Sequence, residues 1–194
     1  MCGKSFILKE ILKFRNVLID PSPNVIYYCY KEWQSNFDML KLENPKIKFV
    51  KGIIDYEDLN ENVSNLVIFD DLMKECITSE NVMNIFTVGS HHKNTSTFFL
   101  TQNVFSQGKF ARDISLNSNY MIIFRNPRDQ QQIQTLSRQM FPQNFNFLIE
   151  SFSDATNKPH GYLFIDLKQT TEERNRIQTG ILPTQKRIIH TKKN

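Results

Sequence analysis

Residues 65–72 read NLVIFDDL, an apolar run without alternation that ends abruptly in two adjacent carboxylates. A strand that alternates apolar and polar residues can lie on a surface. One that is apolar throughout needs cover on both faces, the situation of a central strand in a parallel sheet. Such sheets meet their ligands at the carboxyl ends of the strands. Asp70 and Asp71 therefore mark the point where this strand leaves the core. The plainer alternative is a buried strand followed by a turn in which Asp70 caps the next helix.

The chain opens Met1-Cys2-Gly3-Lys4-Ser5, the last part of the phosphate-loop pattern GxxxxGK[ST]. Ile7, Leu8, Ile11, Leu12 and Phe14 follow at helical spacing. The pattern predicts a helix over Ser5 to Leu18 that ends at Asp20-Pro21-Ser22-Pro23. Gly3-Lys4-Ser5 then sit at a helix N-terminus, where unpaired N–H groups and the helix dipole favour an anion. Taken in order, the two half-motifs read as Walker A and Walker B segments around ATP and Mg²⁺. Lys4 is expected to reach the β- and γ-phosphates, and Gly3 to let the backbone approach them. Ser5 and Asp70 are expected to hold Mg²⁺. Asp71 is the candidate to orient or deprotonate the attacking water, with helix capping as its plainer role. A complete loop needs a preceding strand and an earlier glycine, because its backbone wraps the phosphates between strand and helix. Met1 falls inside the pattern, so the expectation is a fragment truncated within Walker A, or else a protein that has lost half of its cradle.

Further strands are expected at Val25–Tyr30, Ile47–Ile53, Thr97–Leu100, Tyr120–Phe124 and Gly161–Asp166. Helices are expected over Trp33–Leu42, Glu80–Val88, Asp129–Met140 and Gln143–Phe152, and a loop over Gly89–Ser96. Short apolar strands alternating with helices predict an α/β protein with a mainly parallel sheet. One domain over 1–183 is expected, followed by a basic tail, 184–194, that is either solvated or set against DNA.

Composition sets outer limits. With 40% hydrophobic and 12% aromatic residues the chain can bury a sizeable core. Phe69, Phe98, Phe99, Phe124 and Phe164 fall inside expected strands and read as core, not as base-stacking rings. No apolar run approaches a membrane span and no signal-peptide pattern opens the chain, so a soluble intracellular protein is expected. Cys2, Cys29 and Cys76 form no CxxC pair and read as reduced thiols. A net charge of +4 suits a polyanionic partner without requiring one.

The segments CGKS, VIFDD, GSHHKNTSTFFLTQN, SQGKFARDISLNSNYMIIFRNPRD and KPHGYLFID together resemble the FtsK/HerA superfamily. Within it, they are similar to the genome-packaging ATPases of Polinton (Maverick) elements and related large DNA viruses. The likeness runs from Met1 to about Pro183 and is most specific over Gly89 to Arg128. It implies a RecA/FtsK-like three-layer P-loop NTPase fold lacking its first strand. It also implies a ring, hexameric in form, that uses ATP to move double-stranded DNA into a capsid, in the nucleus or a cytoplasmic viral factory of a eukaryotic host. The resemblance makes Gln102 a polar sensor of water or γ-phosphate, supported by Thr101 and Asn103. It also makes one of Lys93, Arg112, Arg125 and Arg128 the cation that completes a neighbour's site, and Lys109 and Arg112 are candidates to face DNA phosphates. Two departures stand out: the loop is truncated, and Asp71 occupies a position where many members carry Glu. The competing readings are another P-loop NTPase, such as a helicase or nucleotide kinase, and a decayed or domesticated element copy without turnover.

Overall fold

A computed structural model describes residues 3–192. Helix α1 (Gly3–Lys13) and the single turn α2 (Arg15–Leu18) lead into β1 (Val25–Tyr30), α3 (Asn36–Glu43), β2 (Ile47–Lys51) and β3 (Asn65–Asp70). Next come α4 (Met73–Cys76), α5 (Glu80–Thr87), α6 (Gly89–His92), β4 (Thr95–Leu100), α7 (Ala111–Leu116) and β5 (Tyr120–Phe124). The remaining described elements are α8 (Gln131–Met140), α9 (Phe145–Ala155), β6 (Tyr162–Asp166), β7 (Ile177–Thr179) and β8 (Ile188–Ile189). The chain divides into two units: Leu12–Asn117, and Met1–Ile11 together with Ser118–Asn194.

The first unit is built on a four-stranded, wholly parallel sheet of order β2-β1-β3-β4. Its centre is the strand that the sequence singles out. Leu66, Val67, Ile68 and Phe69 are all fully buried, as lack of alternation requires of a strand covered on both faces. Val67 and Phe69 pack with Leu72 and with Val82 and Ile85 of α5. That helix starts at Ser79, whose hydroxyl accepts the Val82 N–H at 3.3 Å. Elsewhere in the unit, Tyr28, Phe37 and Phe49 form an aromatic cluster with Tyr30 and Trp33. Within it Tyr28 and Phe37 are buried, and full burial of a side chain such as Phe37 contributes roughly 1.5–3 kcal/mol.

The two edges of this sheet differ. Edge strand β2, IKFVK, carries Lys48 and Lys51, charges that discourage further pairing. Edge strand β4, TSTFFL, has neither charge nor proline and pairs with β3 in unbroken register from Thr95 to Leu100.

The second unit carries an antiparallel sheet of order β5-β6-β7-β8. Tyr162, Leu163 and Ile165 of β6 are buried, as are Leu148 and Ala155 of α9 and Ile133 and Leu136 of α8. Tyr162 Oη accepts the Ile181 N–H at 2.9 Å and donates to Gln185, tying the segment after β7 to the sheet. Gly180 lies there at φ +74, and a Cβ on it would clash with the Lys186 carbonyl oxygen.

Several expectations are corrected. Strands β5 and β6 belong to the antiparallel sheet, not to a single mainly parallel one. Their runs YMIIF and YLFID are as continuously apolar as β3, and that pattern does not encode strand direction. The segment from Thr184, expected as a tail, contributes β8: Ile188 and Ile189 pair with β7, Arg187 Nε donates to Gln178 Oε1 at 2.7 Å, and His190 N–H donates to the Ile177 carbonyl at 2.9 Å. Two residues are too short to show alternation. Gly89–His92, expected as a loop, forms a helical turn, and α4, α7 and β7 lie outside the expected elements. The expected first helix breaks at Phe14 into α1 and α2. Among the described residues no helix is long and apolar enough to cross a membrane.

Candidate functional site

Parallel register brings three strand ends level. Tyr30 of β1 lies opposite Asp70 of β3, and Asp70 opposite Leu100 of β4. The residues that follow them, Lys31, Asp71 and Thr101-Gln102-Asn103, therefore emerge along one edge of the sheet. Asp70, Asp71 and Gln102, predicted from separate stretches of sequence, share this edge.

Neither aspartate serves as the helix cap of the plainer reading. The N-cap of α4 is Leu72, with no side-chain capping bond. Asp70 Oδ2 instead accepts a 2.7 Å hydrogen bond from Tyr28 Oη, donated across from the neighbouring strand. Asp71 is exposed and takes a left-handed backbone conformation, φ 57. Such a conformation costs a non-glycine residue of order 1 kcal/mol or more and recurs where chain direction serves a site. Buried Leu72 and Cys76 anchor the turn that follows.

Lys31 and Glu75 pair at 3.0 Å. Hydrogen bonding to Glu75, helped by the charges of Glu75 and Asp71, raises the Lys31 ammonium, and Lys31 lowers the Glu75 carboxyl. Sequence reasoning missed both Tyr28 and Lys31. The signal for them is register: they flank the end of the strand beside the Asp70 strand.

On the β4 side, Thr101 Oγ1 donates to the Asn103 carbonyl at 2.9 Å and accepts the Asn103 N–H at 3.2 Å, while Asn103 Oδ1 accepts the Phe105 N–H at 2.8 Å. These bonds fold the strand exit back on itself, with Gln102 exposed at its start. Thr101 and Asn103 thus shape the loop that carries Gln102.

In the second unit, Gly3 opens α1 against the ring of Phe124, the last residue of β5. A Cβ on Gly3 would lie 2.6 Å from two ring atoms. Packing against this ring is by itself a reason for glycine at this position. The first turn of α1 holds Lys4, partly buried, and exposed Ser5, with no acid. Arg125 follows Phe124 directly. Arg128 is placed by a turn in which its N–H donates to Asn126 Oδ1 at 3.1 Å, and both arginines are exposed. The α1 N-terminus and these two cations adjoin the same strand end.

The other candidate cations lie in the first unit. Lys93 sits at the opposite end of the parallel strands: Asn65 Nδ2 donates to its carbonyl at 2.9 Å, and its ammonium lies 3.8 Å from Glu61 and 5.3 Å from the Tyr56 ring centre. A strand the length of β3 separates it from Asp70 by roughly 16 Å, so Lys93 has no part in the Asp70 site of its own chain. Lys109 lies over the Phe110 ring at 4.7 Å and Arg112 lies on α7, both exposed.

The donors at the Asp70 edge are all oxygen, Asp70, Asp71 and Glu75, which suits a hard cation such as Mg²⁺ and not a thiol- or imidazole-seeking metal. No group of three or more His, Cys, Asp and Glu among the described residues is arranged to hold an ion unaided. A cation held here takes its remaining ligands from water or phosphate, the usual manner of Mg²⁺. Comparison with protein-family models, with curated proteins and with solved structures returns no match.

Proposed function

We propose that this chain is the ATPase domain of a ring-forming motor that moves double-stranded DNA, of the FtsK/HerA genome-packaging type, with capsid components as partners. The observation that carries this proposal is the level ending of β1, β3 and β4, which gathers Asp70, Asp71 and Gln102 at the carboxyl edge of a parallel sheet. In the other unit, the Gly3-Lys4-Ser5 start of α1, an acid-free helix N-terminus, is of the kind that binds an anion such as the phosphates of a nucleoside triphosphate.

On this proposal the residues divide the work by charge. Lys4 and the first-turn N–H groups of α1 hold phosphate oxygens, with Gly3 permitting close approach. Asp70 would offer Mg²⁺ a carboxylate oxygen, and Ser5 its hydroxyl; Mg²⁺ when bound would neutralise phosphate charge. Exposed Asp71, with its backbone turned out of the strand, takes the proton of the attacking water or orients it. Gln102 hydrogen-bonds that water or the γ-phosphate. Arg125 and Arg128, exposed beyond β5, are better candidates than Lys93, which is held against Glu61 and Tyr56, for the cation that completes a neighbour's site. Lys109 and Arg112 contact DNA phosphates without reading sequence.

The test is ATP hydrolysis, with and without duplex DNA, by the chain extended at its N-terminus with a strand and glycine-rich half-loop. Hydrolysis is expected to rise with DNA. Lys4→Ala and Asp70→Asn should each lower it about a hundredfold or more, the size typical of removing one preorganised electrostatic contact. Rates equal to those of Lys4→Ala, whatever the DNA, overturn the proposal.

A further inference from the structure

The Asp70 side chain is tied to the hydroxyl of Tyr28, a tyrosine whose setting is unusual for the partner of a surface-facing carboxylate. Tyr28 is 2% exposed. Its ring is held by Phe37 at 4.9 Å and Phe49 at 5.3 Å between centroids. It stands on β1 opposite Ile68, so its phenol leans one pleat forward along the sheet to reach Asp70 Oδ2. A hydroxyl at the end of a ring packed in this way cannot follow a carboxylate that rotates.

We propose that Tyr28 is a positioning residue that makes the Asp70 site selective for Mg²⁺ over Ca²⁺: it ties down Oδ2 and leaves Oδ1 as the oxygen offered to a cation. This deepens the proposed function and rests on Asp70 being the metal-binding carboxylate. The chemistry follows from the two ions. Ca²⁺ accepts six to eight oxygens and commonly takes both oxygens of a carboxylate, whereas Mg²⁺ demands six near-ideal ligands and takes one oxygen from each carboxylate. An Asp70 free to swing serves either ion, and an Asp70 held by a fixed phenol serves the smaller one better.

The experiment titrates the 194-residue chain with Mn²⁺ followed by electron paramagnetic resonance, with Mg²⁺ and Ca²⁺ as competitors, in wild type, Tyr28→Phe and Asp70→Asn. A second arm follows the Tyr28 ring carbon resonance in tyrosine-labelled protein as Mg²⁺ is added. In wild type, Mg²⁺ should displace Mn²⁺ better than Ca²⁺ does, and the Tyr28 resonance should move. Tyr28→Phe keeps the ring and its packing. It should weaken Mn²⁺ binding about tenfold, the lower end for loss of a partner to a metal-binding carboxylate, and bring Mg²⁺ and Ca²⁺ close to equality. Unchanged affinity and unchanged preference in Tyr28→Phe overturn the proposal while leaving Asp70 as ligand. Wild-type binding in Asp70→Asn, or none in wild type, overturns the Asp70 assignment and the Tyr28 role with it. Should Tyr28→Phe fail to fold, the wild-type resonance decides: a Tyr28 signal indifferent to Mg²⁺ overturns the proposal.

Discussion

The two units make their sheets from similar apolar runs and end with different burial. In the parallel unit, β3 is closed off on both faces from Asn65 through Phe69. In the antiparallel unit, β5 has a run of comparable composition, YMIIF, yet none of its residues is fully buried, and both residues of β8 are exposed. Charge separates them further. The antiparallel unit's segments hold thirteen Lys and Arg against seven Asp and Glu, while Leu12–Asn117 holds eleven against thirteen. A single figure of +4 for the whole chain therefore hides a basic unit and a mildly acidic one. The division matches the chemistry proposed for each: the acidic edge with Asp70 and Asp71 suits a cation, and the unit with Lys4, Arg125 and Arg128 suits phosphate.

The sharpest way to break this comparison is to remove matched side chains from both sheets. Phe69→Ala should destabilise the parallel unit by about 3–5 kcal/mol, because the cavity opens in a strand covered on both faces. Ile189→Ala, at an exposed edge, should change stability by less than about 0.5 kcal/mol. Denaturant unfolding followed by unit-specific probes measures both, and equal losses would erase the distinction between the sheets. Next in size is Gly180→Ala, which combines a left-handed φ with a clash against the Lys186 carbonyl. A loss of about 1–3 kcal/mol is expected, with hydrogen-exchange protection lost first at Ile188–His190.

Smaller effects sharpen the contrast at particular residues. Asp71→Gly should raise stability by up to about 1 kcal/mol by relieving the left-handed conformation, while lowering ATP hydrolysis in the extended chain. A gain in stability without loss of hydrolysis removes Asp71 from the chemistry. The smallest effect is confined to the antiparallel unit and depends on pH. Burial lowers the His190 imidazole from its ordinary value, opposed by Asp154 at 3.9 Å. The folded state then holds fewer protons than the unfolded state as pH falls below about 6.5, and stability declines with it. His190→Gln should flatten the dependence of the thermal midpoint on pH.

Much of the parallel unit was legible because its strands are short apolar runs broken by turn residues, and β1, β2, β3 and β4 fall within a few residues of expectation. Asp70 and Asp71 were legible for the same reason, since charge that closes a buried run shows where the strand reaches the sheet edge. Tyr28 was not. Nothing in VIYYCY distinguishes a tyrosine whose hydroxyl reaches a neighbouring strand from one that only fills the core. The small residue set of β7 and β8 was equally silent, because strands of three and two residues carry no period.

The amino-acid pattern by itself determined an α/β chain, the place of its most buried strand, and the acids that end that strand, because burial on both faces excludes polar residues wherever the chain runs. Only the tertiary structure decided that β5 and β6 run antiparallel, that residues near the C-terminal end pair as a strand, and that Tyr28 holds Asp70. Each of these depends on which segments become neighbours, and hydrogen-bond partners between strands leave no trace in the order of residues along either one.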